Sequence, residues 1–168
     1  MERWDLYTED RVCSGRMHER GQEIPKGYYH LVVHVWIRSR EGKFLISQRA
    51  ADRPTFPLFW ECVGGSVIAG EDSLRGALRE AAEEVGILLE ASSGRLVYSR
   101  IRDEIGGVRF GDILDVWLFE YDGEVDLKRA TEREVEQVKW MTAEEIRALY
   151  DAGRMVHTLG YFFERIAV

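Results

Sequence analysis

At 168 residues, 45% hydrophobic and 32% charged, the chain has the size and composition of one ordinary globular domain with a buried core. A net charge of −7 with no basic run argues against a general nucleic-acid or anionic-membrane binder; a phosphate substrate is still compatible, because bound metal ions reverse the local field. No apolar run approaches the ~20 residues needed to span a bilayer, and the opening MERWDLYTED lacks the basic start and apolar core of a signal peptide. Cys13 and Cys62 are far apart, with no CxxC or zinc-type spacing, which fits a reducing cytoplasm.

In chain order, residues 1–27 read as a preface to the main fold. Trp4–Tyr7 and Arg11–Cys13 are short strand candidates around the turn Thr8-Glu9-Asp10, and the polar Arg16–Gly27 reads as a loop covering a sheet edge. The β-branched, aromatic run Tyr28–Arg38 and then Lys43–Arg49 predict a hairpin turning at Gly42. Ala50–Pro57 is a loop, and Phe59–Val63 a short strand leading to Gly64-Gly65. Past the central helix, Leu96–Arg102 and Phe110–Tyr121 predict two more strands, with Gly106-Gly107 as the turn between them. A short strand at Val138–Met141 precedes a helix whose capping box is Thr142 and Glu145, with Ile146 and Leu149 on its buried side. The tail Met155–Val168 carries a helical apolar stripe. Strands, long helix, strands, helix, helix is the order of an α/β fold in which a mixed sheet is covered on both faces. No repeat or linker divides residues 1–168, so one domain is expected.

The stretch Gly65–Ile87, GSVIAGEDSLRGALREAAEEVGI, organises the rest. Leu74, Ala77, Leu78, Ala81 and Val85 form one helical stripe, Asp72 or Ser73 caps its start, and Gly86 takes the left-handed position that ends it. Glu80, Glu83 and Glu84 share an arc opposite that stripe, and Arg79 stands one turn before Glu83, within pairing reach. Gly76, one turn before Glu80, costs about 1 kcal/mol inside a helix, and its lack of a side chain leaves room beside the carboxylates. Three carboxylates on neighbouring turns repel one another and oppose the helix dipole in its C-terminal half, so their placement calls for a cation. Carboxylate oxygens with a backbone carbonyl such as that of Gly65 suit Mg2+ or Mn2+.

With U an apolar residue, this spacing is G-x5-E-x7-R-E-U-x-E-E-x-G-U, met by Gly65, Glu71, Arg79, Glu80, Ala81, Glu83, Glu84, Gly86 and Ile87. It resembles in full the Nudix box of the Nudix hydrolases; seven fixed letters match by chance on the order of one time in a million for such a chain. The resemblance implies an α/β/α sandwich with the box as loop-helix-loop. It also implies divalent-metal-dependent hydrolysis of a diphosphate linkage in a small-molecule substrate, a nucleoside diphosphate joined to a group X. By the same resemblance Gly65 (through its carbonyl), Glu80, Glu83 and Glu84 hold the metal, Arg79 orients the glutamates and Glu71 braces the loop. Glu83, Glu84 or a loop glutamate serves as base. Among Glu132, Glu134 and Glu136, which precede Trp140, Glu134 or Glu136 is the candidate for an extra ligand or base.

Outside the box, Arg49 at a strand end is a candidate phosphate contact. His30 and His34, four apart on one strand, share a side and read as satisfied sheet histidines more than as ligands. Cys62 reads as a small packing residue, since no histidine adjoins it in sequence. Two rival functions remain. Tyr29-His30-Leu31, Gln48-Arg49-Ala50 and Pro57-Leu58-Phe59-Trp60 look like the isopentenyl-diphosphate isomerase branch, but Gly64-Gly65-Ser66 stands where that branch has Cys-Gly-His. A catalytically idle ligand-binding Nudix domain is the other; such domains usually have eroded boxes, and this box is intact. The identity of X and the oligomeric state, a homodimer included, are left open.

Overall fold

The computed structural model describes residues 1–168. In chain order its strands and helices are β1 (Arg3–Tyr7), β2 (Cys13–Glu19), β3 (His30–Arg38), β4 (Phe44–Arg49), β5 (Trp60–Glu61), β6 (Val63–Ser66), α1 (Ser73–Val85), β7 (Gly94–Ile105), β8 (Val108–Glu120), β9 (Val135–Met141), α2 (Ala143–Asp151) and α3 (Phe162–Arg165). The near-continuous apolar run of β3 makes it the spine of a seven-stranded mixed sheet. On one edge β3 pairs in parallel with β8 from His30↔Asp112 to Arg38↔Glu120, and β7 completes that side as an antiparallel hairpin with β8. On its other edge β3 pairs antiparallel with β6, from Val32↔Ser66 to Val35↔Val63.

The predicted β3–β4 hairpin is reduced to a single registered pair, Arg38↔Phe44. β4 leaves β3 at once and pairs along its length with β9, taking β5 at its far end. The edge it vacates is where β6 sits, and that arrangement lays Gly64 and Gly65 directly against β3. The expected Phe59–Val63 strand is correspondingly split at Cys62 between β5 and β6.

Side chains of β3 alternate between two cores, as strand geometry requires. Val33, Val35 and Ile37 pack with Ala77, Ala81 and Val85 of α1, all fully buried. Trp36 packs on the opposite face with Ile146 of α2 and Phe162 of α3. Helices therefore cover both faces, the expected α/β/α layering. The capping box of α2 is present, with Thr142 and Glu145 each bonding the other's backbone N–H. The tail is not one helix: a 3-10 turn at His157–Leu159 and one turn of α3 replace the expected long stripe. Met155 is drawn into a parallel bridge with Trp60, which fixes the tail before it can coil.

In the preface, β2 starts at Cys13 and runs on to Glu19, through residues expected to be loop. CSGRMHE has weak strand propensity by itself; pairing with β1, from Arg3↔Glu19 to Tyr7↔Cys13, imposes the conformation. The preface does cover the sheet, through Trp4 stacked on His30 at 4.0 Å and a Tyr7↔Tyr29 bridge. No helix is long and apolar enough to cross a membrane.

Candidate active site

The ends of α1 follow the sequence closely. The Asp72 carboxylate accepts from the backbone N–H of Arg75 at 2.8 Å, and Gly86 sits at φ 70°, its N–H directed at the last carbonyls. The arc opposite the apolar stripe does not face open water. It lies against β6, so Glu80 and Glu84 are each only 7% exposed. A Cβ on Gly65 would stand 2.5–2.7 Å from the Glu80 carboxyl group, so glycine there is what admits that carboxylate. Gly76 has a different reason from the expected one: a Cβ there would meet the Val67 side chain at 2.8 Å. The glycine lets α1 close onto Val67 and leaves no space beside the carboxylates.

Arg79 is the hub. Its Nε donates to both Glu71 oxygens at 3.0 and 3.1 Å, Nη1 to Glu80 and Glu83 at 2.9 Å each, and Nη2 to the Ser66 carbonyl at 2.9 Å. One planar guanidinium thus ties the loop before α1 to two glutamates on α1 and to β6. Burial, which lowers the Arg79 pKa, is outweighed by the Glu80 and Glu71 carboxylates, so the group stays charged. Glu71 also accepts from the Ile68 N–H at 3.4 Å, which makes it a brace of the loop.

Burial raises the Glu80 pKa to about 7 against the pull of Arg79. It pushes Glu84 well above the usual carboxylate range, with Glu80 and Glu61 adding to the rise. Glu84 accepts one long bond, from the Gly64 N–H at 3.4 Å. Buried carboxylates with so little hydrogen bonding gain most from a cation. An all-oxygen donor set at Glu80, Glu83, Glu84 and the Gly65 backbone fits a hard divalent ion such as Mg2+ or Mn2+. Arg79 engages Glu80 and Glu83, and no three acidic, histidine or cysteine side chains converge on one point.

These groups line a polar cleft of about 510 Å³. Arg49 borders it and is held by Glu61 at 2.7 Å. Glu134 borders it, held by Arg53 at 2.6 Å; Glu136 points instead into a neighbouring cavity of about 660 Å³. Of the two loop candidates the fold therefore brings only Glu134 to the box. Glu132 borders both cavities, and its loop hangs from α1 by bonds from the Thr131 and Glu132 N–H groups to the Glu83 carbonyl, 3.0 Å each. Sequence reasoning missed Arg53 and Arg20, which line the same cleft. For Arg53 the signal was its place before Pro54 in the loop leading to the box; Arg20 offered none, since only the β1–β2 pairing brings it there.

Neither sheet histidine borders this cleft. His30 is satisfied by stacking more than by hydrogen bonds, since its buried Nδ1 has no partner, and burial lowers its pKa to about 4. His34 Nδ1 lies 2.7 Å from the Tyr161 hydroxyl. Cys62 is buried in the core with its thiol pKa raised well up by burial, so it is held as the unreactive thiol.

The family model of the NUDIX domain matches residues 28–162. The "Uncharacterized Nudix hydrolase lmo0368" of Listeria monocytogenes is 34% identical over 164 residues, 97% of this chain and 91% of that one. A counterpart from Listeria innocua, lin0387, is 36% identical over 165 residues, again covering 97% and 91%. Among solved structures, DR0079 from Deinococcus radiodurans superposes with a TM-score of 0.73 at 24% identity, covering 92% of each chain. With the Arg79-centred box formed at the cleft and the family pattern matched over most of its length, the chain belongs to the Nudix hydrolases.

Proposed function

We propose that the chain hydrolyses the diphosphate linkage of a nucleoside diphosphate joined to a group X, with Mg2+ or Mn2+, in the cytoplasm. The observation that supports this most is the Arg79 clamp, which ties Glu71, Glu80 and Glu83 to one guanidinium and sets Glu80 against Gly65, at the wall of a cleft carrying Arg20, Arg49 and Arg53. Gly65, Glu80, Glu83 and Glu84 are the residues that would hold the metal. When bound, a divalent ion supplies charge to the phosphate oxygens and acidifies a water. The chain's own residues do the remainder. Arg49 and Arg53 are aimed by Glu61 and Glu134 and can bind phosphoryl oxygens at the cleft wall. Glu83, with a side chain 30% exposed, and Glu132 and Glu134 on the neighbouring loop that borders the cleft stand where a proton leaving the attacking water can be taken up. Arg79 and Glu71 keep the carboxylates in register.

Glu84→Gln tests this, because it removes the ionisable carboxylate a metal would need at nearly constant shape. Turnover on a panel of nucleoside diphosphate derivatives with Mg2+ should fall by about a hundredfold or more, with the circular dichroism spectrum retained. An unchanged rate at saturating metal would take Glu84 out of the mechanism.

A further inference from the structure

Behind the glycine pair of β6 lies a second, smaller cavity of about 130 Å³, bordered by His34, Glu61, Cys62 and Thr158. Gly64 and Gly65 border both it and the diphosphate cleft, so the two spaces adjoin at a stretch of backbone with no side chains. Gly64 cannot be otherwise, because a Cβ there would strike the Val33 carbonyl and come within 3.2 Å of His34 Cδ2. At about 130 Å³ the space admits a few waters or a comparably small polar group such as one edge of a sugar.

Its polar groups are set and incompletely used. Trp36 Nε1–H, which can only donate, gives its proton to the Tyr161 oxygen at 3.0 Å. Tyr161 then directs its own proton to His34 Nδ1, a far better acceptor than the neighbouring Cys62 sulfur. That fixes His34 as the tautomer with its proton on Nε2, and burial, aided by Arg102, keeps the ring neutral. Nε2 has no protein partner. On the other wall Glu61 commits Oε1 to Arg49, while Oε2 has no protein partner. His34, Glu61 and Thr158 all border the cavity, and their unused donor and acceptor atoms are the complement of hydroxyl groups, each of which donates and accepts at once.

We propose that this cavity is a hydroxyl-binding subsite that receives the edge of a sugar attached to the diphosphate, with His34 Nε2–H and Glu61 Oε2 as its donor and acceptor. The inference rests on the diphosphate-hydrolase reading for what occupies the adjoining cleft. The sugar is either the nucleoside ribose or a sugar serving as X, and both present the same chemistry.

Two measurements test it. In protein carrying 15N-histidine, ribose 5-phosphate should move the His34 Nε2–H resonance and inorganic phosphate should not. Equal shifts with both probes, or none with either, overturn the subsite. In kinetics, His34→Phe keeps a ring but loses the donor, and Thr158→Val serves as a second, milder variant. Three substrates separate the sources: a nucleoside diphosphate sugar, its analogue lacking the nucleoside's vicinal hydroxyls, and one with the sugar X replaced by an alkyl group. His34→Phe should lose at least about tenfold in kcat/KM on the full substrate, and the loss should vanish on whichever analogue lacks the bound hydroxyls. Equal losses on all three, or no loss on any, refute the proposal. If the parent hydrolyses none of them and the ribose 5-phosphate shift is still seen, the subsite stands and the diphosphate-hydrolase reading falls.

Discussion

Gly64 and Gly65 are adjacent in β6, yet alanine should act on them in opposite ways. At Gly65 the added methyl would meet the Glu80 carboxyl group at 2.5–2.7 Å, against an ordinary contact that begins at 3.4 Å. The carboxylate must therefore withdraw by the difference, 3.4 − 2.7 to 3.4 − 2.5, or about 0.7–0.9 Å. It is the far end of a side chain, so it can move, but only by straining its 2.9 Å bond to Arg79. A displacement near 1 Å at a reacting centre costs on the order of a hundredfold in rate. The fold should not suffer, because Gly65 has no left-handed backbone, and alanine lowers the entropy of the unfolded chain by about 0.4–1 kcal/mol. At Gly64 the methyl meets a backbone carbonyl of β3, which cannot move without breaking the β3–β6 register. Gly65→Ala should then melt within about 3 °C of the parent and hydrolyse diphosphates about a hundredfold more slowly; Gly64→Ala should melt lower by roughly 4 °C or more. Full activity in Gly65→Ala would refute the placement of Glu80 beside the reacting groups.

Arg11→Ala should destabilise through Asp115, which is fully buried and takes two Arg11 bonds of 2.7 Å. Because Arg11 is itself 41% exposed, about 1–2 kcal/mol is a fair magnitude, or roughly 2–8 °C in melting temperature. For Asp115, burial pushes the pKa up but is outweighed by hydrogen bonds from Arg11, Ser73 and Ser99, leaving it depressed. That contribution is complete above the unfolded value near about 3.9 and is lost as pH falls through the folded one. The parent-minus-variant difference in melting temperature should thus be constant near neutrality and shrink below about pH 4; a difference that grows in acid would refute the pairing. Chelation of divalent ions should abolish hydrolysis and leave far-UV circular dichroism unchanged, since α1 has both caps and Arg79 already neutralises part of its acidic face; unfolding on chelation would contradict this. Cys62→Ser should keep hydrolysis within about threefold, and the parent should form no dimethylallyl diphosphate from isopentenyl diphosphate, because a buried protonated thiol is a poor proton shuttle. Appearance of that product, with its loss in the variant, would overturn the hydrolase assignment.

Both ends of α1 were legible in the sequence because capping is local: Asp72 bonds three residues on, and Gly86 needs only its own backbone freedom. The Arg79–Glu83 pair was legible for the same reason, one helical turn fixing its geometry. The role of Gly76 was misread because its neighbour, Val67, reaches it by tertiary packing. The tail was misread as a helix because its stripe is genuine, but Trp60, almost a hundred residues earlier, pins Met155 in a bridge. His34 could not be given a task from sequence, since the tyrosine that sets its tautomer is 127 positions away. What the chain hides is what tertiary packing decides, whether the partner is nine residues away, as Val67 is from Gly76, or more than a hundred, as Tyr161 is from His34.

The preface shows the same logic at the level of the active site. It lies outside residues 28–162, where the family pattern is matched, yet it grips the box at several points. The Arg3 carbonyl accepts from the Ala69 N–H at 2.8 Å, and the Asp5 carboxylate accepts from the Gly70 N–H at 2.8 Å. Those two bonds hold the turn that places Glu71 against Arg79. Arg11, in the turn between β1 and β2 at φ 60°, reaches across to Asp115, which also takes the Ser99 hydroxyl at 2.7 Å. Beside it Trp117 donates to Ser73, the first residue of α1, at 2.8 Å. The loop before α1 and the start of α1 are therefore held from the preface side, while Arg79 holds the same segment from within. A carboxylate cluster of this density would repel itself into disorder on a loose support. Bracing from both directions lets a short glycine-rich turn hold the start of α1, and with it the charge that α1 carries, against the cleft.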